Sequence, residues 1–204
     1  MSDSAALILG VIILVIAIWM FRPRPDAGKA QAEQGARAAE ARARAAVDRA
    51  QLTVERDALL TRIRTEAPGF ILRAKLDFER AYRAGTVSES FFGHEMSPLV
   101  CFGYRVGVTN GRPEHERHAI LDYAIAADLD AALPFLPADY RREWGAPLSP
   151  TRFNRIHQHL TKMADLRDGR QNLGAAVADW RADADWFHAR QVSVVQRFRT
   201  LQSR

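Results

Sequence analysis

The sequence predicts a mainly α-helical protein, built as an N-terminal transmembrane helix, a long helical or coiled-coil stalk, and a small α-helical domain ending in a long heptad-patterned helix. Three observations carry this reading. Ala5 to Phe21 holds no charged residue and is followed at once by Arg22 and Arg24. The next forty residues are dominated by Ala, Arg, Glu and Gln, which are strong helix formers. Near the C-terminus, Leu173, Val177, Trp180, Ala184, Phe187, Gln191, Val194, Phe198 and Leu201 alternate steps of four and three.

The apolar run is the first element. A bilayer core of about 30 Å needs roughly 20 apolar residues in helical form, and this run, extended by Ser4 and the stem of Arg22, reaches that length. A cleaved signal peptide fits less well. Asp3 is the only side-chain charge before the run, and the run ends in Trp19, Met20 and Phe21 rather than in small residues. The basic residues on its C-terminal side place the bulk of the chain in the cytoplasm by the positive-inside rule. The expected location is therefore a bacterial inner membrane, single-pass, with the N-terminus outside. Trp19 falls at headgroup level on the inner side.

Pro23 and Pro25 end the anchor, which gives a first segment of residues 1–25. The stalk, residues 26–67, carries Ala32, Ala36, Ala39, Ala43, Ala46 and Ala50 on a heptad seam. If continuous it is roughly 60 Å long at 1.5 Å per residue. Alanine knobs bury little area, so the seam alone predicts weak self-association. Leu52, Leu59, Leu60 and Ile63 thicken its apolar face before Pro68-Gly69 stops it.

The domain, residues 68–204, begins with a helix over 70–83 that buries Ile71, Ala74, Phe78, Ala81 and Tyr82, with Gly85 as its stop. Leu99 to Val108 fits both a strand, by alternation at Val100, Phe102, Tyr104, Val106 and Val108, and a helical turn. Pro113 opens a helix with Glu114 and Glu116 in its first turn and Ile120, Leu121, Ala124 and Ala127 on its buried face. A short helix over 138–144 closes at Gly145, and Ser149-Pro150 is an N-cap and first helical position. The last helix, over 172–202, is expected to spend its first half in the domain core. Its second half is expected to pair with the stalk or another chain, so Val177, Trp180, Phe187, Val194, Phe198 and Leu201 form a candidate oligomer seam.

Chemistry is sparse. Dinucleotide, phosphate-loop, nucleophile-elbow and paired CxxC motifs are absent, so no catalytic residue, cofactor or metal is assigned; enzyme activity stays open, with no constellation that supports it. His115, His118 and Asp122 share one helical face at i, i+3 and i+7, but that face lies opposite Ile120, Leu121 and Ala124 and reads as polar surface. His157 and His159 stand two apart and face different ways. Cys101, the one cysteine, reads as a core residue rather than a nucleophile paired with His94. Asp179, Asp183 and Asp185 read as solvating residues beside the apolar seam.

The net charge of +5 comes almost entirely from arginine, interspersed with acids. Arg141, Arg142, Arg152 and Arg155 gather around the helix opening at Pro150, with Arg152 and Arg155 at its N-terminal end. They are candidate nucleic-acid contacts, because backbone donors and guanidinium groups there both favour phosphate. The same arginines can equally pair with neighbouring acids.

Gly103, Tyr104, Val106 and Gly107, then Glu116, Arg117, Ile120 and Leu121, then Glu143, Trp144 and Gly145, and finally Trp180 and Trp186, follow a recurring order. In this order the chain resembles a helical C-terminal module of uncharacterised bacterial proteins. The resemblance covers about half of the chain, implies a defined domain, and carries over no activity and no catalytic residue. The expected function is a membrane-anchored interaction or scaffolding protein with a homo-oligomer or a partner helix. The alternative is a membrane-tethered nucleic-acid-binding module.

Overall fold

A computed structural model describes residues 27–87 and 97–201 of the chain. They are mainly helical, with no strand among the described residues. The expected anchor, Ala5–Phe21, and its flanking Arg22 and Arg24 lie outside them, as does His94. No helix among the described residues is long and apolar enough to cross a membrane. The chain divides into two compact units, residues 1–48 and 49–204.

Helix α1 spans Ala27–Thr65. It runs without a proline, and Gly35 does not interrupt it. Every residue from 31 to 48 is exposed, so propensity and i,i+4 pairs such as Arg44–Glu40 (2.6 Å) support this part of the helix. Burial begins only in the second unit, where Leu60 joins the hydrophobic core and Leu52, Leu59 and Ile63 pack against it. The last turns of the expected stalk are thus part of the domain core.

The remaining elements of the second unit follow in order. α2 spans Gly69–Arg83, α3 Pro98–Cys101, α4 Glu114–Ala126, α5 Leu129–Ala132, α6 Ala138–Glu143, α7 Pro150–Arg167 and α8 Gly174–Phe198, with a final 3-10 turn at Arg199–Leu201. Their ends are set locally. Gly85 adopts φ +69° and the Thr86 amide donates to the Ala81 carbonyl at 3.1 Å, the wide bond of a left-handed helix stop. Gly145, at φ +76°, follows α6. The Ser149 hydroxyl accepts from the Arg152 amide at 3.0 Å and Pro150 takes the first position of α7.

Leu99 to Val108 resolves as a helical turn and a loop rather than a strand. The Phe102 amide donates to the Pro98 carbonyl and the Tyr104 amide to the Leu99 carbonyl, which winds the chain back on itself. Gly103 permits this at φ +86°, where a Cβ would stand 2.7 Å from that of Ala74. Leu99, Cys101, Phe102 and Tyr104 are all buried by the winding, whereas Val108, on the alternating pattern, is 90% exposed.

α4 is the central helix. Ile120, Leu121 and Ala124 are buried as expected, and so are Arg117, Tyr123, Ile125 and Ala126. The buried side therefore extends well beyond the expected stripe. α7 and α8 form an antiparallel pair, with Phe153 stacked on Phe187 at one end and Arg167 lying over Trp180 at the other.

The first half of the terminal seam lies in the domain core, as expected, and its second half meets the end of the stalk, where Arg197 pairs with Glu55; the oligomer alternative is what changes. Val177, Trp180, Phe187 and Phe198 are buried within this one chain, and Val194 and Leu201 pack partly buried against the same core. A heptad stripe states that a face is covered, not by what. Here the cover is the chain's own domain, so these residues offer no free oligomer seam.

His159 on α7 shows how the core handles a titratable group. It lies edge-on to Trp144, partly buried, and burial with the nearby charges of Arg167 and Lys162 pushes its pKa from 6.5 down to about 4. The folded state favours the neutral ring, so the unfolded chain takes up the proton first as pH falls. The contribution to stability is therefore fully present above 6.5 and lost between 6.5 and about 4. Urea midpoints should show a decline on the order of 1–2 kcal/mol between about pH 7.5 and 5 that His159→Phe reduces. An unchanged pH slope in the variant removes His159 as its source.

Candidate functional site

Two features concentrate polar groups in the second unit, a buried hub and an open cleft beside it. The hub centres on Asp183 of α8, which is 0% exposed. Its Oδ2 accepts from the Tyr104 hydroxyl at 2.6 Å and from Arg117 Nε at 2.7 Å. Arg117 Nη2 adds a longer bond to Oδ1 at 3.3 Å and lies 3.2 Å from Asp179 Oδ1. His118 Nε2 is 3.3 Å from Asp183 Oδ1.

The hub fastens the loop between α3 and α4 to α8. Asp179 Oδ2 accepts from the Gly107 amide at 2.9 Å, and Arg117 Nη1 donates to the Arg112 carbonyl at 2.8 Å. Arg112 in turn donates to the Gly103 carbonyl at 2.6 Å, pairs with Glu116 and covers the Phe70 ring. Gly107 needs its φ of +90° and its bare Cα here, since a Cβ would sit 3.3 Å from that of Ala176.

Electrostatics hold the hub in one state. Burial, reinforced by the Asp183 charge and hydrogen bond, raises the Tyr104 pKa far above that of a free phenol, so this residue remains a donor. Burial alone would lower the Arg117 pKa, but the hydrogen bond to Asp183 and the charges of Asp183 and Asp179 outweigh it and raise it. Nearby, burial pushes the Cys101 thiol up to about 12, which leaves no thiolate for nucleophilic attack at neutral pH. Donors and acceptors in the hub are matched to one another, an arrangement suited to locking a loop in place.

Sequence reasoning missed both charged partners. Asp183 is a core acid, not a solvating one, and the face of α4 that carries His118 packs against α8 instead of pointing to solvent. One signal was present. Arg117 lies on the same i, i+3, i+4, i+7 stripe as Ile120, Leu121 and Ala124, and a cation on an apolar stripe requires a buried acid.

His115, His118 and Asp122 do not converge. His115 is exposed. His118 stacks on Trp186 with ring centroids 3.7 Å apart and planes 5° from parallel. Asp122 accepts from Arg190 Nε at 2.9 and 3.1 Å and from Gln191 Nε2 at 2.5 Å. Among the described residues no group of three His, Cys, Asp or Glu side chains is placed to hold a metal ion.

The candidate phosphate contacts also separate. Arg152 is buried, 2% exposed, and donates to the carbonyls of Ala124 and Ala127 at 2.9 Å, of Trp144 at 2.8 Å and of Gly145. It therefore cannot meet a phosphate at the surface, which corrects its expected role. It plugs the carbonyl ends of α4 and α6, where a cation complements both helix dipoles. Burial lowers its pKa to about 10, which leaves it charged at neutral pH. Arg141 is tied to Asp130 at 2.6 Å and to the Pro134 and Leu136 carbonyls. Arg142 pairs with Asp139, and Arg155 lies 3.9 Å from Glu143.

The cleft lies between the end of α1, α4 and α8, with a volume of about 650 Å³. Leu59, Ile63, Leu148 and Val194 contribute its apolar lining, and Arg62, Glu66, Asp122, Tyr123, Arg190 and Gln191 its polar one. Arg190 also lies over Trp186, which connects the cleft rim to His118 and through it to the hub.

No family model, curated protein or solved structure matches this chain. The reading of its function rests on the residues themselves.

Proposed function

We propose that this chain is a single-pass membrane protein that carries a cytoplasmic helical interaction or scaffolding domain on a stalk. The observation that carries the reading is the uncharged run Ala5–Phe21 with Arg22 and Arg24 directly after it. Two features support it. The helix from Ala27 follows the run closely, and its first unit is exposed throughout residues 31–48, as a spacer requires. The second unit has a built core and a loop fixed by the Asp183 hub, as an interaction domain requires. Self-association falls to the stalk under this reading, because Val47 and Val54 stand exposed seven residues apart on α1.

Fractionation tests it directly. The full chain should stay with the membrane through alkaline carbonate extraction. A C-terminal tag should resist protease in intact spheroplasts and be digested once the inner membrane is opened. Release by carbonate, digestion of the tag from outside, or loss of the first 25 or so residues by processing would overturn the reading.

A further inference from the structure

We propose that the cleft between the end of α1, α4 and α8 binds an amphiphile with an apolar chain and a small anionic head, of the fatty-acid class. Its volume of about 650 Å³ falls within the roughly 300–1,000 Å³ of small-molecule sites. Apolar side chains with a few polar groups at one side are the usual lining of such a site.

The polar groups decide the head. Asp122 is already neutralised by Arg190 and bonded by Gln191, so neither it nor Arg190 calls for a ligand charge. Tyr123 is different. Its ring is packed edge-on to Phe102 at 4.9 Å, and its hydroxyl, which is open to the cleft, has no hydrogen-bond partner among the described residues. A donor that no protein group engages is free to bond an acceptor oxygen in the cleft. Arg62 on the rim likewise makes no ion pair among the described residues, although Glu66 lies one turn away on the same wall. Burial raises the Tyr123 pKa, which keeps the hydroxyl a donor, and the positive charge of Arg64 acts on the same hydroxyl.

An unpaired donor under the field of two cations selects an anionic oxygen. Arg62, Arg64 and Glu66 are all exposed and screened alike, so two cations against one acid leave this wall of the cleft net positive. The chain of the ligand then lies along Leu59, Ile63 and Val194.

The test is calorimetric titration of the full-length chain, held in solution by an amphipathic polymer, with decanoate, decanol and decylamine as probes. Decanoate should bind saturably, one per chain, and about tenfold or more tighter than either comparator. Tyr123→Phe and Arg62→Gln should each weaken decanoate by roughly fivefold or more and leave decanol unchanged, whereas Arg181→Gln, far along α8, should change nothing. Circular dichroism melts confirm that the variants fold. Absence of saturable uptake overturns the proposal. So do equal affinities for decanoate and decanol, which make the cleft merely apolar, and tighter binding of decylamine, which gives the head to Glu66. None of these results bears on the membrane anchor, since no lining residue precedes Leu59.

Discussion

Asp183→Ala should lower the unfolding free energy by about 3–5 kcal/mol, the cost of leaving a buried charge without its partner. Arg117 is only 6% exposed and directs two nitrogens at this one carboxylate, so the substitution leaves a core cation with only the partly exposed Asp179 as counter-charge. It also removes the acceptor of the buried Tyr104 hydroxyl. Against a total stability of roughly 5–15 kcal/mol for a domain of this size, that loss is enough to populate the unfolded state. Asp183→Asn should lose less, because it keeps an acceptor but not the charge. The double variant Arg117→Met with Asp183→Leu should lose far less than the two single changes combined, since the pair as a whole is worth little beyond an apolar substitute. Chemical denaturation with matched slopes reads all five variants. A value for Asp183→Ala within about 0.5 kcal/mol of the parent would falsify the hub as a structural lock.

Arg152→Met is expected to cost about 3–4 kcal/mol by the same measurement. The thioether chain can replace the stem of the arginine, but the carbonyls of Ala124, Ala127, Trp144 and Gly145 lose their common donor at once. Arg152→Lys should recover only part of the loss, because an ammonium lacks the planar fork that reaches both helix ends. The opposite result, a fully stable Arg152→Met protein, would return this residue to the surface role that its place near the start of α7 suggested.

The contrast between these two sites and the rest of the domain shows what the sequence can reveal. Ser149-Pro150, Gly85 and Gly145 were readable because a cap or stop is decided within a few residues of itself. The long seam on α8 was readable as a buried face, yet its partner was not. Periodicity encodes that Val177, Trp180 and Phe187 share a side, and nothing local distinguishes α7 from a second chain. Asp183 and Arg117 were harder still. They are 66 positions apart, and although Arg117 falls on an apolar stripe, nothing local names Asp183 as its partner until the fold brings them within 2.7 Å. The cleft belongs to the same class, since Leu59, Tyr123 and Val194 come from three separate helices. The stretch Leu99 to Val108 stayed open between strand and turn for a different reason, because a wound turn can bury neighbouring residues as densely as a strand buries alternate ones.

Cys101 gives the domain a built-in gauge. It is the chain's one thiol, 1% exposed and raised to about 12. A thiol reagent cannot reach it, and the sulfur cannot ionise, while the core around Leu99 and Phe102 is closed. Labelling therefore proceeds only through molecules that have opened, and its rate at a fixed pH counts them. In the absence of denaturant, and in the presence of a membrane or a ligand, the sulfur of one residue keeps time for the opening of the whole core.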